Sequence, residues 1–326
     1  MSNMPTEEES LEVAGMIASN AKELEAAHRD FLATMKEYHE KFESRALTAE
    51  QVYTGRLLRL EKGAGEPIFT GVWWWDEFVG PFRRGNSYLL SGYPGVGKTT
   101  LILNLLWEIA KTGRRVWYYC LELTAEEAME VLIGIILKKA KLSEADWTLG
   151  YATIQSSPFL FFEPAEYLTW EQHLALIAKT VRKEKMELVV IDNLSFLTRV
   201  VRNQNEVEGV ASAKIKSLSQ ELAIPIVLLH HLRKPDTDKG EPDPTPHTVR
   251  GSGLLLADAS DSFILHHPLI EDEDGLRHEV GFLMSGKPRW GMGGKRYVCL
   301  ERGTRKYDHA TAMEYPRALG NRKVRK

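Results

Sequence analysis

At 326 residues the chain has room for one large α/β domain with an appendage, and its 42 Lys and Arg nearly balance 45 Asp and Glu. No stretch approaches the roughly 18 to 20 uninterrupted apolar residues of a membrane span, and the acidic, polar start excludes a signal peptide. Cys120 and Cys299 have no His or Cys partners at metal spacing, so they read as buried thiols within strands, in a reducing, cytoplasmic compartment. The balance is uneven along the chain. Residues 1–50 hold 5 basic against 11 acidic side chains, and residues 283–326 hold 12 against 3. A basic end of this kind can meet a polyanion locally.

In chain order, residues 10–45 predict one long helix. Ile17, Ala21, Leu24, Phe31, Met35, Tyr38 and Phe42 recur at steps of three and four, with His28 as the exception. Such a stripe must be covered, by this chain's own core or by a neighbouring subunit, and the pattern does not choose. Residues 46–68 read as a linker spaced by Gly55, Gly63, Gly65 and Pro67. Trp73, Trp74 and Trp75 follow. Base stacking is one role for them, and packing beneath the next strand is the favoured one.

The apolar run 87–91 leads into Gly92-Tyr93-Pro94-Gly95-Val96-Gly97-Lys98-Thr99, which fits G-x-x-x-x-G-K-[ST], and a helical pattern follows. Strand, glycine loop and helix together predict a nucleoside triphosphate site. Backbone N–H groups and the positive helix end would surround the phosphates, Lys98 would reach the β- and γ-phosphates, and the Thr99 hydroxyl would take Mg²⁺. Gly92, Pro94, Gly95, Val96, Gly97, Lys98, Thr99 and Thr100 are the candidate nucleotide-binding residues.

Beyond the loop the pattern alternates: strand 115–122, helix 125–140, a short strand at 152–155, helix 170–183, strand 188–192, helix 207–222 and strand 226–230. This rhythm predicts a mainly parallel sheet covered on both faces. After residue 260 the pattern becomes strands joined by turns, at 262–266, 279–284, 296–301 and 305–307. Three polar groups end the central strands. Asp192 closes an apolar strand and is the second candidate Mg²⁺ ligand. Asn193 follows it where many ATPases carry a Glu, so the base must come from elsewhere. Glu122 is the candidate, because strand C-termini converge on the ligand crevice of a parallel sheet; a helix cap or a surface carboxylate near Thr124 is the competing role. Of His230 and His231, alternation lets only one face the site.

These blocks in this order resemble the RecA-like motor domain of ring-shaped replicative helicases, of the DnaB and bacteriophage T7 types. The matching stretches are the P-loop, Cys120-Leu121-Glu122-Leu123, Val190-Ile191-Asp192-Asn193, His231-Leu232-Arg233-Lys234-Pro235, Arg250-Gly251-Ser252-Gly253 and Lys287-Pro288-Arg289-Trp290-Gly291. The resemblance spans roughly residues 69–308. It implies that Glu122 is the catalytic glutamate and that His231 links the γ-phosphate to the DNA loop. It also makes Arg289 an arginine finger entering a neighbour's site, with Lys287 beside it, so that hydrolysis depends on assembly.

By the same resemblance, the long loop 232–250, with Arg233, Lys234, Lys239 and Arg250, lines a central channel and holds single-stranded DNA. A second loop, 198–206, adds Arg199 and Arg202. Asp236, Asp238, Glu241 and Asp243 dilute the first loop's charge, and a solvated surface loop is the competing reading. The resemblance implies a RecA-like P-loop fold with C-terminal antiparallel strands. It divides the chain into an N-terminal helix and linker (1–68) suited to oligomerisation, an ATPase domain (69–310) and a basic tail (311–326). The first part has no room for the primase or helical N-terminal domain of such helicases.

The function implied is ATP- or dTTP-driven, Mg²⁺-dependent translocation on single-stranded DNA by a homo-oligomeric ring, a hexamer, with replication proteins as partners. The alternatives are a RecA-like DNA-binding ATPase or helicase loader that does not unwind DNA, and a signalling ATPase of the KaiC type.

Overall fold

The computed structural model describes residues 66–162, 168–198, 204–232, 258–268, 279–287 and 293–311, with isolated positions at 49–50, 52–54, 244 and 255. The helix expected over 10–45 lies outside these residues. So do Arg199, Arg202, Arg233, Lys234, Lys239, Arg250, Arg289 and the tail beyond 311, while Lys287 is described in its backbone alone. Residues 49–50 and 52–54 are helical, within the stretch read as a linker. Ala49 and Glu50 favour helix, and the linker's glycines begin only at Gly55.

A nine-stranded sheet runs β3-β2-β4-β5-β1-β6-β7-β8-β9. Its parallel part comprises β1 (Ser87–Gly92), β2 (Val116–Cys120), β3 (Phe159–Phe162), β4 (Leu188–Asp192), β5 (Ile226–His231) and β6 (Asp261–His266). Then β7 (Val280–Lys287), β8 (Lys295–Glu301) and β9 (Lys306–His309) extend it antiparallel. The architecture is the expected one.

Sheet alternation sorts the core into two layers. Tyr88, Leu90, Tyr118, Val190 and Leu229 point to one face, covered by α1 (Trp73–Phe78), α2 (Lys98–Lys111), α3 (Ala125–Leu137) and α4 (Glu144–Ile154). Leu89, Trp117, Tyr119, Val189 and Leu228 point to the other, under α5 (Trp170–Glu184), α6 (Leu194–Leu197) and α7 (Gln204–Leu222). Strands buried on both sides read as continuous apolar runs, which is why the sequence marks them clearly.

Three expectations need correction. The strand placed at 152–155 is the end of α4. Ser143 and Asp146 form a capping box that starts this helix, and the strand is the aromatic run Phe159–Phe162 after Pro158. Cys299 is only partly buried, because β8 lies near the open edge of the sheet. The tryptophan run divides. Trp74 and Trp75 are buried at 1 % exposure, Trp75 against Phe82 and Phe263, whereas Trp73 is 59 % exposed beside His309 and Arg296. The run is helical, so consecutive rings leave the axis in different directions.

Candidate nucleotide site

The site lies where β1, β2, β4 and β5 end, at the carboxyl edge of the parallel strands. Sequence order places a loop there after each strand, and the ligand crevice of such sheets opens at that edge. After β1 the loop turns through Gly95 and Gly97, both in the left-handed region at φ +70 and +94, before α2 begins at Lys98. Gly92 is required for a different reason: a Cβ there would lie 2.6 Å from the Leu265 carbonyl oxygen and 2.8 Å from Val96 Cγ1. Pro94 and Gly95 are exposed, Val96 is buried, and Gly97, Thr99 and Thr100 are half-buried.

Lys98 is 5 % exposed and curls over its own loop, its Nζ donating to the carbonyls of Gly92 at 3.0 Å and Tyr93 at 3.1 Å. Thr99 Oγ1 donates to Asp192 Oδ2 at 2.7 Å, and the Tyr118 hydroxyl donates to the same oxygen. Asp192 is 1 % exposed, and its Oδ1 accepts no hydrogen bond among the described residues. Burial raises its pKa, against the pull of Tyr118, Thr99 and Lys98. An apolar setting disfavours a bare carboxylate, and a hard cation ligated by oxygen relieves that penalty. The unpartnered Oδ1 and the adjacent Thr99 hydroxyl therefore fit Mg²⁺ held with a nucleotide.

Glu122 stands two residues beyond β2. The N–H groups of Leu121 and Glu122 both donate to the Asp192 carbonyl, at 2.7 and 3.2 Å, which draws the end of β2 onto that of β4. Glu122 Oε2 lies 3.2 Å from His231 Nε2 and accepts from Asn193 Nδ2. The hydrogen bond from His231 is the main influence holding its carboxyl below the usual carboxylate range; the charges of His231 and Lys98 and the Asn193 amide add to it, and partial burial opposes it. The result is an ionised, half-buried carboxylate with defined neighbours. The competing role of helix cap falls away, because α3 is capped by Thr124 with Glu127 in a complete capping box.

Alternation separates the two histidines. His231 faces Glu122, whereas His230 turns to the other face, 3.7 Å from Glu208 on α7, with both of that pair buried. Two contributors were not assigned a role from sequence. Asn193, fully buried, caps α6 with its Oδ1, accepting from Phe196 N at 3.2 Å, while its amide holds Glu122. Tyr118 braces Asp192 from the neighbouring strand. Position after Asp192 could have signalled the first; the sheet alternation that puts residues 118 and 192 on one face could have signalled the second.

Residues 67–309 match the family described as DnaB-like helicase C terminal domain. A replicative DNA helicase DnaB of Leifsonia xyli is 26 % identical over 243 residues, covering 70 % of this chain and 53 % of that protein. A probable plasmid replicative DNA helicase of Chlamydia trachomatis is 28 % identical over 193 residues, 54 % of this chain and 42 % of that one. The chain thus spans about half the length of the curated relatives it matches. Among solved structures, a separately solved ATPase domain superposes with a TM-score of 0.67 at 18 % identity, covering 82 % of this chain and all of that one. A DnaB-like replicative helicase, described with its primase interactions, gives 0.63 at 16 %, covering 89 % and 77 %. These two likenesses show a shared RecA-like fold, and with the match over three quarters of its length the chain belongs to the family of DnaB-like helicase C-terminal domains.

Proposed function

We propose that this chain is a Mg²⁺-dependent ATPase motor that moves on single-stranded DNA as a cytoplasmic ring, with ATP or dTTP as its fuel. One observation carries the reading. Glu122, supported by Asn193 and His231, stands at the same strand edge as Lys98, Thr99 and Asp192. Family membership and the helicase names of its relatives support the same conclusion.

In this reading Lys98 leaves the loop carbonyls for the β- and γ-phosphates, and Gly92, Pro94, Gly95, Val96, Gly97 and Thr100 shape the cradle around them. Thr99 and Asp192 hold Mg²⁺, which neutralises phosphate charge when bound. Glu122 orients the attacking water and accepts its proton; a carboxylate kept ionised and half-buried is suited to that task. His231 touches Glu122 and is followed by the segment with Arg233 and Lys234, so it joins the hydrolysis site to the DNA loop.

Arg289, with Lys287, enters the site of an adjacent subunit in a hexamer and stabilises transition-state charge there. Arg199, Arg202, Arg233, Lys234, Lys239 and Arg250 contact DNA phosphates in the channel. Residues 1–68 hold subunits together, 69–310 form the motor, and replication proteins are its partners.

The test is phosphate release with and without single-stranded DNA across protein concentrations, followed by strand displacement on a forked duplex. A rate rising with both DNA and concentration, with unwinding, supports the motor. Stimulation without strand displacement leaves a DNA-dependent ATPase or loader. A rate indifferent to both sinks the reading.

A further inference from the structure

Tyr307 reaches the glycine loop from β9, a strand that contributes nothing else to it. It is the buried residue of β9, 4 % exposed, and its hydroxyl lies 3.4 Å from the carbonyl oxygen of Val96 and 3.3 Å from that of Gly97. On another side the hydroxyl meets His267 Nε2 at 3.3 Å. A Cβ on Gly97 would come within 2.4 Å of the Tyr307 oxygen, so phenol and loop are in direct contact.

The position of the phenol is itself fixed. Asn104, on the helix that begins with Lys98, donates from Nδ2 to the Arg305 carbonyl at 2.9 Å and accepts from Tyr307 N at 3.4 Å. Arg305 in turn donates to the carbonyls of Ala140 at 2.7 Å and Glu130 at 3.4 Å, beside α3. The β8–β9 turn is therefore tied to both helices that leave the site.

The chemical consequence comes from the planarity of the peptide unit. In a trans peptide the C=O and the following N–H point in opposite directions. The Val96 carbonyl shares its plane with the Gly97 N–H, and the Gly97 carbonyl shares its plane with the Lys98 N–H. A donor that holds the Val96 carbonyl on the outer side of the loop turns the Gly97 N–H to the inner side. Inward N–H groups are what an anion cradle consists of. The Gly97 carbonyl already accepts the first hydrogen bond of α2, from Leu101 N at 2.9 Å, so the phenol bears on the Val96–Gly97 plane, where Gly97, at φ +94, has no side chain to limit rotation.

We propose that Tyr307 is a positioning residue of the nucleotide site: its hydroxyl orients the Val96–Gly97 peptide so that the Gly97 N–H faces the phosphates of a nucleoside di- or triphosphate, beside the Lys98 N–H that α2 already presents. This rests on the reading of residues 92–99 as the phosphate cradle. The phenol has one proton to share between the two carbonyls. When His267 Nε2 is protonated it donates to the phenol oxygen and leaves that proton for the loop. Burial pushes the phenol far above its ordinary range, so it stays a donor at neutral pH.

The experiment compares Tyr307→Phe, which keeps the ring, with the wild type and with Lys98→Ala. Calorimetry with MgADP measures affinity without turnover, steady-state phosphate release separates KM from kcat, and thermal melting of the nucleotide-free protein reports packing. Loss of one hydrogen bond predicts a rise of about five- to tenfold in MgADP Kd and in KM. The turnover number should stay within about twofold, and the melting temperature within about 2 °C. In nucleotide-free protein, the Gly97 amide resonance should also shift.

If Lys98→Ala abolishes MgADP binding while Tyr307→Phe binds as wild type, Tyr307 is a packing residue and the inference is overturned. An unmoved Gly97 amide resonance, or a lowered melting temperature with unchanged affinity, overturns it equally. If Lys98→Ala binds MgADP normally, the cradle reading fails first and takes the inference with it.

Discussion

In the parallel half of the sheet, β1, β2 and β4 are buried along their whole length, yet their carboxyl ends gather Lys98, Asp192, Asn193 and, half-buried, Glu122. In the antiparallel half, β8 and β9 alternate, with Val298 and Tyr307 as their buried residues and charged side chains outward. The first region places polar groups where water is scarce, and each must be paired or ligated to remain there. The second meets solvent, and its charges cost little. The polar groups of the first region thus depend on one another for their burial, whereas the outer strands mainly support the fold and one loop.

Glu122→Gln puts that contrast to its most severe test. Turnover should fall by about 10² to 10⁴, with MgADP affinity and melting temperature nearly unchanged. Full phosphate release in this variant would remove Glu122 from the chemistry. Next in size is the pair of neighbouring tryptophans. Trp75→Ala should cost about 3–5 kcal/mol in urea unfolding, and Trp73→Ala about 0.5 kcal/mol or less. Equal losses would contradict the burial that separates them.

His173 adds a polar group buried away from the site, where its Nδ1 lies 2.6 Å from the Tyr119 hydroxyl. Burial lowers its imidazole from 6.5 to about 4. The native state therefore refuses a proton that the unfolded chain accepts. Stability from this group is complete above pH 6.5 and is lost as pH falls toward 4, by roughly 3 kcal/mol. His173→Asn should flatten that part of the pH dependence of the urea midpoint; an unchanged slope would assign it to other groups.

The smallest effect distinguishes support from catalysis. Asn193→Ala removes both the α6 cap and the Glu122 contact, so it should cost about 1–2 kcal/mol of stability and about tenfold in turnover. MgADP affinity should hold. A variant with normal turnover would leave Asn193 a cap alone.

How much of this was legible in the sequence follows the same division. Lys98 and Thr99 could be found from the glycine-loop motif, and Asp192 and Glu122 because a buried parallel strand is a run of apolar residues, so a carboxylate at or just past its end is conspicuous. The choice between His230 and His231 could be narrowed by alternation, though alternation alone did not name the one that faces Glu122. Asn193 was noticed for what it replaced, since its double role depends on the angle between β4 and α6. Trp73 was grouped with its neighbours because a short helix offers too few residues to show a period. The strand at 159–162 is hard to place from sequence, because Thr153 and Ile154 are β-formers themselves and only the capping box at 143–146 marks them as the end of a helix. Tyr307 gave no signal, because it lies more than 200 positions from the loop it touches.

The two histidines at the end of β5 share one stretch of backbone while gripping different partners, His231 the Glu122 carboxylate and His230 the Glu208 side chain on α7. A shift of the strand end that loosened one contact would displace the other, because the two residues are joined by a single peptide bond. Neither β1 nor β4 ends in such a pair. Were hydrolysis to move Glu122, these two adjacent residues would offer that movement a route through the sheet, from one helical layer to the other, rather than around its edge.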